Sequence, residues 1–214
     1  MSVIYGVYQN SSRGPDNAEP LKAMGLMKFP AYELQMKVIG VVGYPASGKG
    51  EFSQIAAGLG IPVVVMGDII RRQVSAQGLD LTDENIGATA RKLREDFGMD
   101  AVAMLTAEEV GKQHTDVVVI DGIRGDAEVR YFRSVFPTFV LVAVEASFPV
   151  RLSRMQVRGR SDDTTTAESL KGRDEREESF GLAAAMTLAE VRLVNESTRD
   201  VYEAAVRKVL SEEL

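Results

Sequence analysis

The chain contains 214 residues, which is enough for one domain with a sizeable hydrophobic core. Lysine and arginine together number 25 and aspartate and glutamate 31, which gives a formal net charge of −6, and 45% of the residues are hydrophobic. This profile excludes a disordered chain, and its acidic balance argues against a nucleic-acid partner. No apolar run approaches the roughly 18 residues that a membrane span requires, so no membrane partner is expected. The absence of cysteine excludes disulfides and thiolate metal sites, and with no secretory signal in the opening residues it predicts a cytoplasmic protein.

Residues 1–35 stand apart because they include the turn-rich segment Ser11–Asn17 and show no sustained helical or strand periodicity. We predict either a poorly ordered N-terminal extension or a start codon placed upstream of a true start at Met36. Neither interpretation gives these residues a catalytic role, because chain termini are usually poorly tied down. The domain is therefore expected to span residues 36–214.

From Met36 onward, short apolar runs alternate with longer amphipathic stretches. The runs are rich in valine and isoleucine, and each is followed by a turn signal, as expected of strands buried on both faces. They are Val38–Val42, Pro62–Val65, Val117–Ile120, Phe139–Val144 and, more weakly, Val191–Val194. Helices are predicted over Ile86–Phe97, Ala101–Val110 and Val201–Leu210. The alternation predicts an α/β fold, a three-layer sandwich in which helices cover both faces of a five-stranded parallel sheet.

The strongest motif is Gly43-Tyr44-Pro45-Ala46-Ser47-Gly48-Lys49, which follows the first predicted strand and opens a helix. Phosphate groups need backbone N–H donors that can approach without interference from Cβ atoms, a helix N-terminus, and a lysine that reaches the β- and γ-phosphates. The spacing and context predict a P-loop that binds a nucleoside triphosphate rather than an ordinary turn. Gly50 occupies the position where the strict pattern places a Ser or Thr that touches Mg²⁺. The metal is therefore expected to be held by carboxylates through water, or by another hydroxyl.

Two further clusters follow predicted strands: Asp68 and Arg71 come after the second strand, and Asp121 and Arg124 after the third. Ligands bind at the carboxyl ends of parallel strands, so both aspartates are expected to face the phosphates. There they would order magnesium waters, and Asp68 would also be placed to accept a proton, while the arginines would clamp an anion. In the alternative interpretation, Asp68 caps a helix beside a solvated Arg71, and the second cluster is a surface turn.

Charged residues without a strand pattern fill residues 151–178, between the fourth and fifth predicted strands, and predict a helical, mobile lid. Three arginines share one helix face because their spacing is i, i+3 and i+7: Arg151, Arg154 and Arg158. Acidic neighbours favour a solvated surface position for Arg173 and Arg176. We expect Arg154, Arg158 and the following Arg160 to stabilise charge during phosphoryl transfer.

Residues 36–211 resemble the P-loop nucleotide kinases, and most closely a mainly archaeal family of adenylate-kinase-like proteins. Residues Gly43–Gly50 look like the adenylate kinase loop, which also has glycine after its lysine but then has threonine where this chain has Glu51. Residues Gly67–Arg71 are similar to the segment in which that family grips its acceptor phosphate. Residues Asp121–Arg124 resemble its Asp-Gly-Phe-Pro-Arg motif without the proline.

The resemblance implies a fold of the P-loop NTP hydrolase type and transfer of the γ-phosphoryl group of ATP, with Mg²⁺, to a nucleotide. A phosphate acceptor is already a nucleophile at neutral pH and needs cationic groups to hold it, whereas a ribose hydroxyl benefits from a base. The two arginines at the expected acceptor-binding positions therefore favour a nucleoside monophosphate. Residues Val194–Ser197 look more like dephospho-coenzyme A kinase, which leaves a ribose 3′-hydroxyl open as the acceptor. A P-loop ATPase or nucleotide-binding regulator is a third hypothesis, mildly favoured by Gly50.

The expected residues divide by role. The catalytic residues are Lys49, Asp68, Arg158 and Arg160. The nucleotide-binding residues are Gly43, Tyr44, Pro45, Ala46, Ser47, Gly48, Lys49 and Gly50. The acceptor is bound by Arg71 and Arg124, and the metal is held through water by Asp68 and Asp121. We expect a monomer or small homo-oligomer whose partner is a small-molecule nucleotide acceptor.

Overall fold

The computed structural model describes residues 36–158 and 166–212. Its five strands form one parallel sheet in the order β2-β3-β1-β4-β5. The strands are β1 (Lys37–Val42), β2 (Val63–Val65), β3 (Val117–Ile123), β4 (Phe139–Glu145) and β5 (Val191–Val194). The predicted five-stranded parallel sheet is therefore confirmed. The observed and predicted bounds differ by a residue at one end of β1, β2 and β4, agree for β5, and differ most for β3.

The helices in the described residues lie between and after these strands. They are α1 (Lys49–Gly58), α2 (Met66–Ala76), α3 (Asp83–Phe97), α4 (Ala101–Val110), α5 (Asp126–Val135), α6 (Phe148–Arg158), α7 (Ala167–Glu178), α8 (Leu182–Thr187) and α9 (Arg199–Glu212). Helix α3 begins before its predicted start because Thr82 caps it, its side chain accepting a hydrogen bond from the amide of Asn85 at 3.2 Å. No helix in the described part of the chain is long and apolar enough to cross a bilayer.

Alternate residues of the strands enter two hydrophobic clusters on opposite faces of the sheet. Val38 and Val42 of β1 pack with helices α2 to α5 and α8, whereas Ile39 and Val41 pack with α1 and α9. This alternation follows from the two-residue period of a strand, and it produces the predicted three layers. Burial of each such aliphatic side chain contributes roughly 1.5–3 kcal/mol, so both helical layers are held firmly against the sheet.

Strand β3 continues past its predicted end at Ile120, which corrects the expectation that the strand stops there. Val41 and Val42 of β1 pair with Asp121 and Ile123, so Gly122 is an extra residue in the register. Gly122 has a φ of 96°, in the left-handed region that favours glycine, as a β-bulge next to a functional site commonly requires. Asp121 therefore lies within the sheet instead of in the loop beyond it.

Helices α6 and α7 make up the described part of the region predicted as a lid. The backbone of Arg158 ends α6, whereas its side chain and all of Arg160 lie outside the described residues, as does the predicted extension at 1–35. The expected roles of these arginines, and the mobility of the lid, stay predictions.

Candidate functional site

The glycine-rich loop connects β1 to α1, and two of its glycines are required by close neighbours. A Cβ atom on Gly43 would lie 2.4 Å from the backbone oxygen of Val144 and 2.7 Å from the Ser47 hydroxyl. Gly48 has a φ of 116°, and its Cβ atom would lie 2.2 Å from the side-chain nitrogen of Asn195. The glycines thus allow the backbone to pass where no side chain fits.

The ammonium group of Lys49, at the start of α1, is folded back over this loop. It donates hydrogen bonds to the backbone oxygens of Gly43 and, at 3.0 Å, Tyr44. Burial lowers the pKa of Lys49 to about 8, while Asp121 and Glu177 act in the opposite direction. The ammonium is therefore held by neutral carbonyl dipoles at a position where an anion would stabilise its charge.

The hydroxyl of Ser47 is buried and unpartnered. The residue is 1% exposed, and its oxygen is the only buried side-chain N or O atom without a hydrogen bond in the described part of the chain. Such a group costs about 1–3 kcal/mol when it stays unsatisfied. An orphaned donor in a loop of small residues fits a nucleotide phosphate, which presents acceptor oxygens.

Asp121 and Ser53 form an oxygen pair near Lys49. The Ser53 hydroxyl donates to a carboxylate oxygen of Asp121 at 2.7 Å, and it also lies 3.1 Å from the backbone oxygen of Lys49. Sequence analysis did not single out Ser53, although it lies one helical turn after Lys49. Among the described residues, no three carboxylate or imidazole groups cluster as a metal cage. Such a sparse set of hard oxygen ligands fits Mg²⁺, which keeps waters and binds substrate phosphates.

Asp68 and Arg71 lie in the first two turns of α2 and form an ion pair with each other. Their side chains are 56% and 49% exposed. The N-cap residue of α2 is Val65, so the interpretation of Asp68 as a helix cap is wrong. The charges that act most strongly on Lys49 are those of Asp121, Glu177, Arg124 and Arg151, and Asp68 is not among them. The metal-binding and acceptor roles of Asp68 and Arg71 stay predictions.

Arg124 follows the end of β3, where its charge lowers the pKa of Lys49, and a buried ion pair fixes its backbone. Glu128 accepts hydrogen bonds from the amides of Arg124 at 2.8 Å and Gly125 at 3.3 Å. The other oxygen of Glu128 pairs with Arg94 at 2.9 Å, and both side chains are almost fully buried. Because burial raises the pKa of Glu128 while Arg94 opposes this, the pair is an electrostatically costly but well-bonded support for the turn.

Helix α7 presents three carboxylates to the loop and to the neighbouring arginines. The pairs are Asp174 with Arg151, Glu177 with Arg124 at 3.0 Å, and Glu178 with the hydroxyl of Tyr44 at 2.7 Å. Arg151 binds both oxygens of Asp174, at 2.8 and 2.7 Å, and also donates to the backbone oxygen of Pro45 at 3.2 Å. Burial and Glu178 raise the pKa of Tyr44 to about 12. The predicted lid region therefore contacts the P-loop through charged side chains.

The parallel sheet, the glycine-rich loop with its lysine, and the carboxylate at the adjacent strand define a P-loop kinase-like α/β protein. Residues 39–181 match the AAA domain family. The chain belongs to the UPF0200 family, which confirms the predicted resemblance to a mainly archaeal family. It is 57% identical over 175 residues to the UPF0200 protein of Methanoregula boonei, and the match covers 82% of this chain and 96% of that one. It is 52% identical, with the same coverage, to the UPF0200 protein of Methanoculleus marisnigri.

Solved structures of other proteins share the fold, two of which are as follows. TT1252 from Thermus thermophilus has a TM-score of 0.56 at 16% identity and covers 83% of this chain and 97% of its own. A putative kinase from Chloroflexus aurantiacus has a TM-score of 0.55 at 21% identity, with 84% and 99% coverage. At these identities the similarity establishes the architecture and says nothing about the acceptor.

Proposed function

We propose that this protein is an ATP-dependent phosphotransferase that transfers the γ-phosphoryl group to a nucleotide, with a nucleoside monophosphate as the favoured acceptor. The observation that carries the proposal is the unpartnered buried hydroxyl of Ser47, in the same loop whose Gly43 and Tyr44 carbonyls bind the ammonium of Lys49. Both groups lie in a loop whose glycines leave the backbone accessible, so an anion with several oxygens would satisfy them together.

A second cation supports transfer to a phosphate-bearing acceptor. Arg124 acts electrostatically on Lys49 and leaves the strand adjacent to the one that precedes the loop. Positioning two phosphate groups beside each other needs cations that offset their mutual repulsion. A protein that only hydrolysed or bound ATP would not need a second anion clamp.

Each residue has a distinct role in the proposal. ATP with Mg²⁺ supplies the activated γ-phosphoryl group. Lys49 and the loop amides would bind its phosphates, while Asp121 and the Ser53 hydroxyl would hold the metal through its waters. Arg124 would orient the acceptor phosphate together with Arg71, which must first leave its ion pair with Asp68. From their positions in the sequence, Arg158 and Arg160 are proposed to arrive with the lid and to stabilise the charge of the transferred group.

The test is an acceptor panel followed by phosphorus NMR. The protein is incubated with ATP, Mg²⁺ and, in separate samples, AMP, CMP, UMP or dephospho-coenzyme A. A nucleoside diphosphate formed from one of the monophosphates is the expected result. A 3′-phosphomonoester would favour the ribose hydroxyl instead, and ADP with free phosphate in every sample would contradict a transferase.

Lys49→Met is the variant that connects turnover to the loop, and Lys92→Met is its matched control. Lys92 is an exposed lysine paired with Asp96 on α3, so its replacement should leave turnover unchanged. Loss of one charge-assisted contact to the transferred group should reduce turnover by roughly a hundredfold or more. Equal turnover in the two variants would contradict the assignment of the P-loop as the active site.

A further inference from the structure

Two backbone carbonyl oxygens of the P-loop accept hydrogen bonds from side chains that lie more than 100 positions further along the chain. The side-chain amide of Asn195 donates to the oxygen of Ser47 at 2.9 Å, and Arg154 donates to the same oxygen at 3.3 Å. The hydroxyl of Tyr202 donates to the oxygen of Gly48 at 3.1 Å. Asn195 and Tyr202 are 3% and 2% exposed, so these contacts are shielded from water.

The orientation of Asn195 is fixed on every side. It follows β5, and its backbone amide donates to Glu145 of β4 at 2.7 Å. Arg154 donates to both the side-chain oxygen and the backbone oxygen of Asn195, each at 2.9 Å. Because arginine has only donors, this contact assigns the oxygen end of the amide to Arg154 and leaves the nitrogen end facing the P-loop.

Peptide planarity connects these contacts to the phosphate side of the loop. In a trans peptide the C=O and the following N–H point in opposite directions. Fixing the oxygens of Ser47 and Gly48 therefore fixes the N–H groups of Gly48 and Lys49 on the other side of the loop. These amides are at the N-terminus of α1, where they have no helical partner and would bind an anion.

We propose that Asn195 and Tyr202 are positioning residues that aim the P-loop amides at the nucleotide phosphates without touching the nucleotide. The inference rests on the proposed function, because it takes a triphosphate as the ligand. It also gives a structural role to the segment Val194–Ser197, which in sequence was a sign only of the acceptor. The C-terminal part of the chain thus preorganises the donor site, which lowers the reorganisation that binding would otherwise require.

The test uses inorganic tripolyphosphate with Mg²⁺ as the probe, because it lacks a base and reports on the loop alone. Binding is measured by calorimetry for the wild type, Tyr202→Phe and Asn195→Asp. Removal of the single hydroxyl should weaken binding about two- to tenfold. Asn195→Asp should weaken it more than tenfold, because a carboxylate oxygen then faces the carbonyl of Ser47. Tyr131→Phe, which removes a hydroxyl from a buried tyrosine in the opposite core cluster, is the control and should bind as the wild type does.

Amide NMR separates positioning from a general loss of structure. In the wild type, tripolyphosphate should shift the N–H resonances of Gly48 and Lys49, and in Tyr202→Phe those shifts should shrink while the melting temperature stays close to the wild-type value. If Tyr202→Phe and Asn195→Asp both bound tripolyphosphate as tightly as the wild type and showed the same N–H shifts, the positioning role alone would be overturned. A wild type that does not bind tripolyphosphate would overturn the proposed function and this inference together, so the two failures are distinguishable.

Discussion

Replacing Arg94 by leucine tests whether the buried ion pair beneath the Arg124 turn stabilises the fold. Arg94 and Glu128 have side-chain exposures of 6% and 1%. Arg94 also donates to the backbone oxygen of Ala90 at 3.1 Å, and its guanidinium lies 4.6 Å from the ring centre of Phe180. The variant keeps apolar volume but leaves the carboxylate of Glu128 buried without its cation.

The expected cost follows from this uncompensated charge. Removal of one partner of a buried pair costs about 3–5 kcal/mol, and a chain of this length loses about 2–4 °C in melting temperature per kcal/mol. The melting temperature of Arg94→Leu should therefore fall by about 6–20 °C. Without Arg94, the pKa of Glu128 rises further above its ordinary value, so the folded variant takes up a proton that the unfolded chain binds more weakly. The loss of stability should consequently be larger at about pH 8 than at about pH 5.

Thermal unfolding followed by circular dichroism at both pH values measures these effects. Arg130→Leu is the matched control, because Arg130 lies on the same helix as Glu128 and pairs with Asp126 at a 69% exposed position. An exposed pair contributes at most about 1 kcal/mol, so the control should lose little stability. If Arg94→Leu cost no more than Arg130→Leu, or if its cost did not depend on pH, the electrostatic reasoning would be refuted.

Three further changes address the loop. Burial lowers the pKa of Lys49 from 10.5 to about 8. Tripolyphosphate affinity measured by calorimetry should therefore fall above about pH 8 in the wild type but not in Lys49→Met. Because the unfolded chain binds more protons between about pH 8 and pH 10.5, the free energy of unfolding of the wild type should rise with pH in this range. Ser53→Ala removes the donor to Asp121, so it should raise the Mg²⁺ concentration needed for half-maximal turnover; an unchanged metal dependence would contradict its proposed role. Gly48→Ala should lower the free energy of unfolding, measured by chemical denaturation, by more than about 1 kcal/mol, whereas Gly58→Ala at the end of α1, where a Cβ atom meets nothing within 4 Å, should not lower it.

Local patterns were enough to predict the sheet and the loop. Buried strands such as β1 are continuous apolar runs, and the glycine-rich motif carries its own context because it needs a strand before it and a helix after it. The end of β3 was predicted wrongly because the bulge at Gly122 depends on pairing with β1, about 80 residues away, and a polar residue followed by glycine is also typical of a turn.

The site was harder to predict because its contacts join distant parts of the chain. The hydroxyl of Ser53 meets Asp121 only when α1 packs beside β3, and the contact of Asn195 with Ser47 spans 148 positions. Neither contact leaves a periodic signal in sequence. Arg154 illustrates the same limit. Its spacing predicted that it shares a helix face with Arg151 and Arg158, but not that it would contact Asn195 and the backbone oxygen of Ser47.

The acidic face of α7 determines what an incoming phosphate must overcome. Glu177 pairs with Arg124 and is among the carboxylates that raise the pKa of Lys49, so it occupies the electrostatic position that phosphate oxygens would take. Its side chain is only 14% exposed, and a phosphate placed beside it would add like-charge repulsion in a poorly solvated site. Anion binding at Arg124 therefore requires either that Glu177 release the arginine or that a cation lie between the Glu177 carboxylate and the bound anion. We therefore expect the contact of α7 with Arg124 to depend on the charge of the ligand, because one arginine would then be shared between two anions.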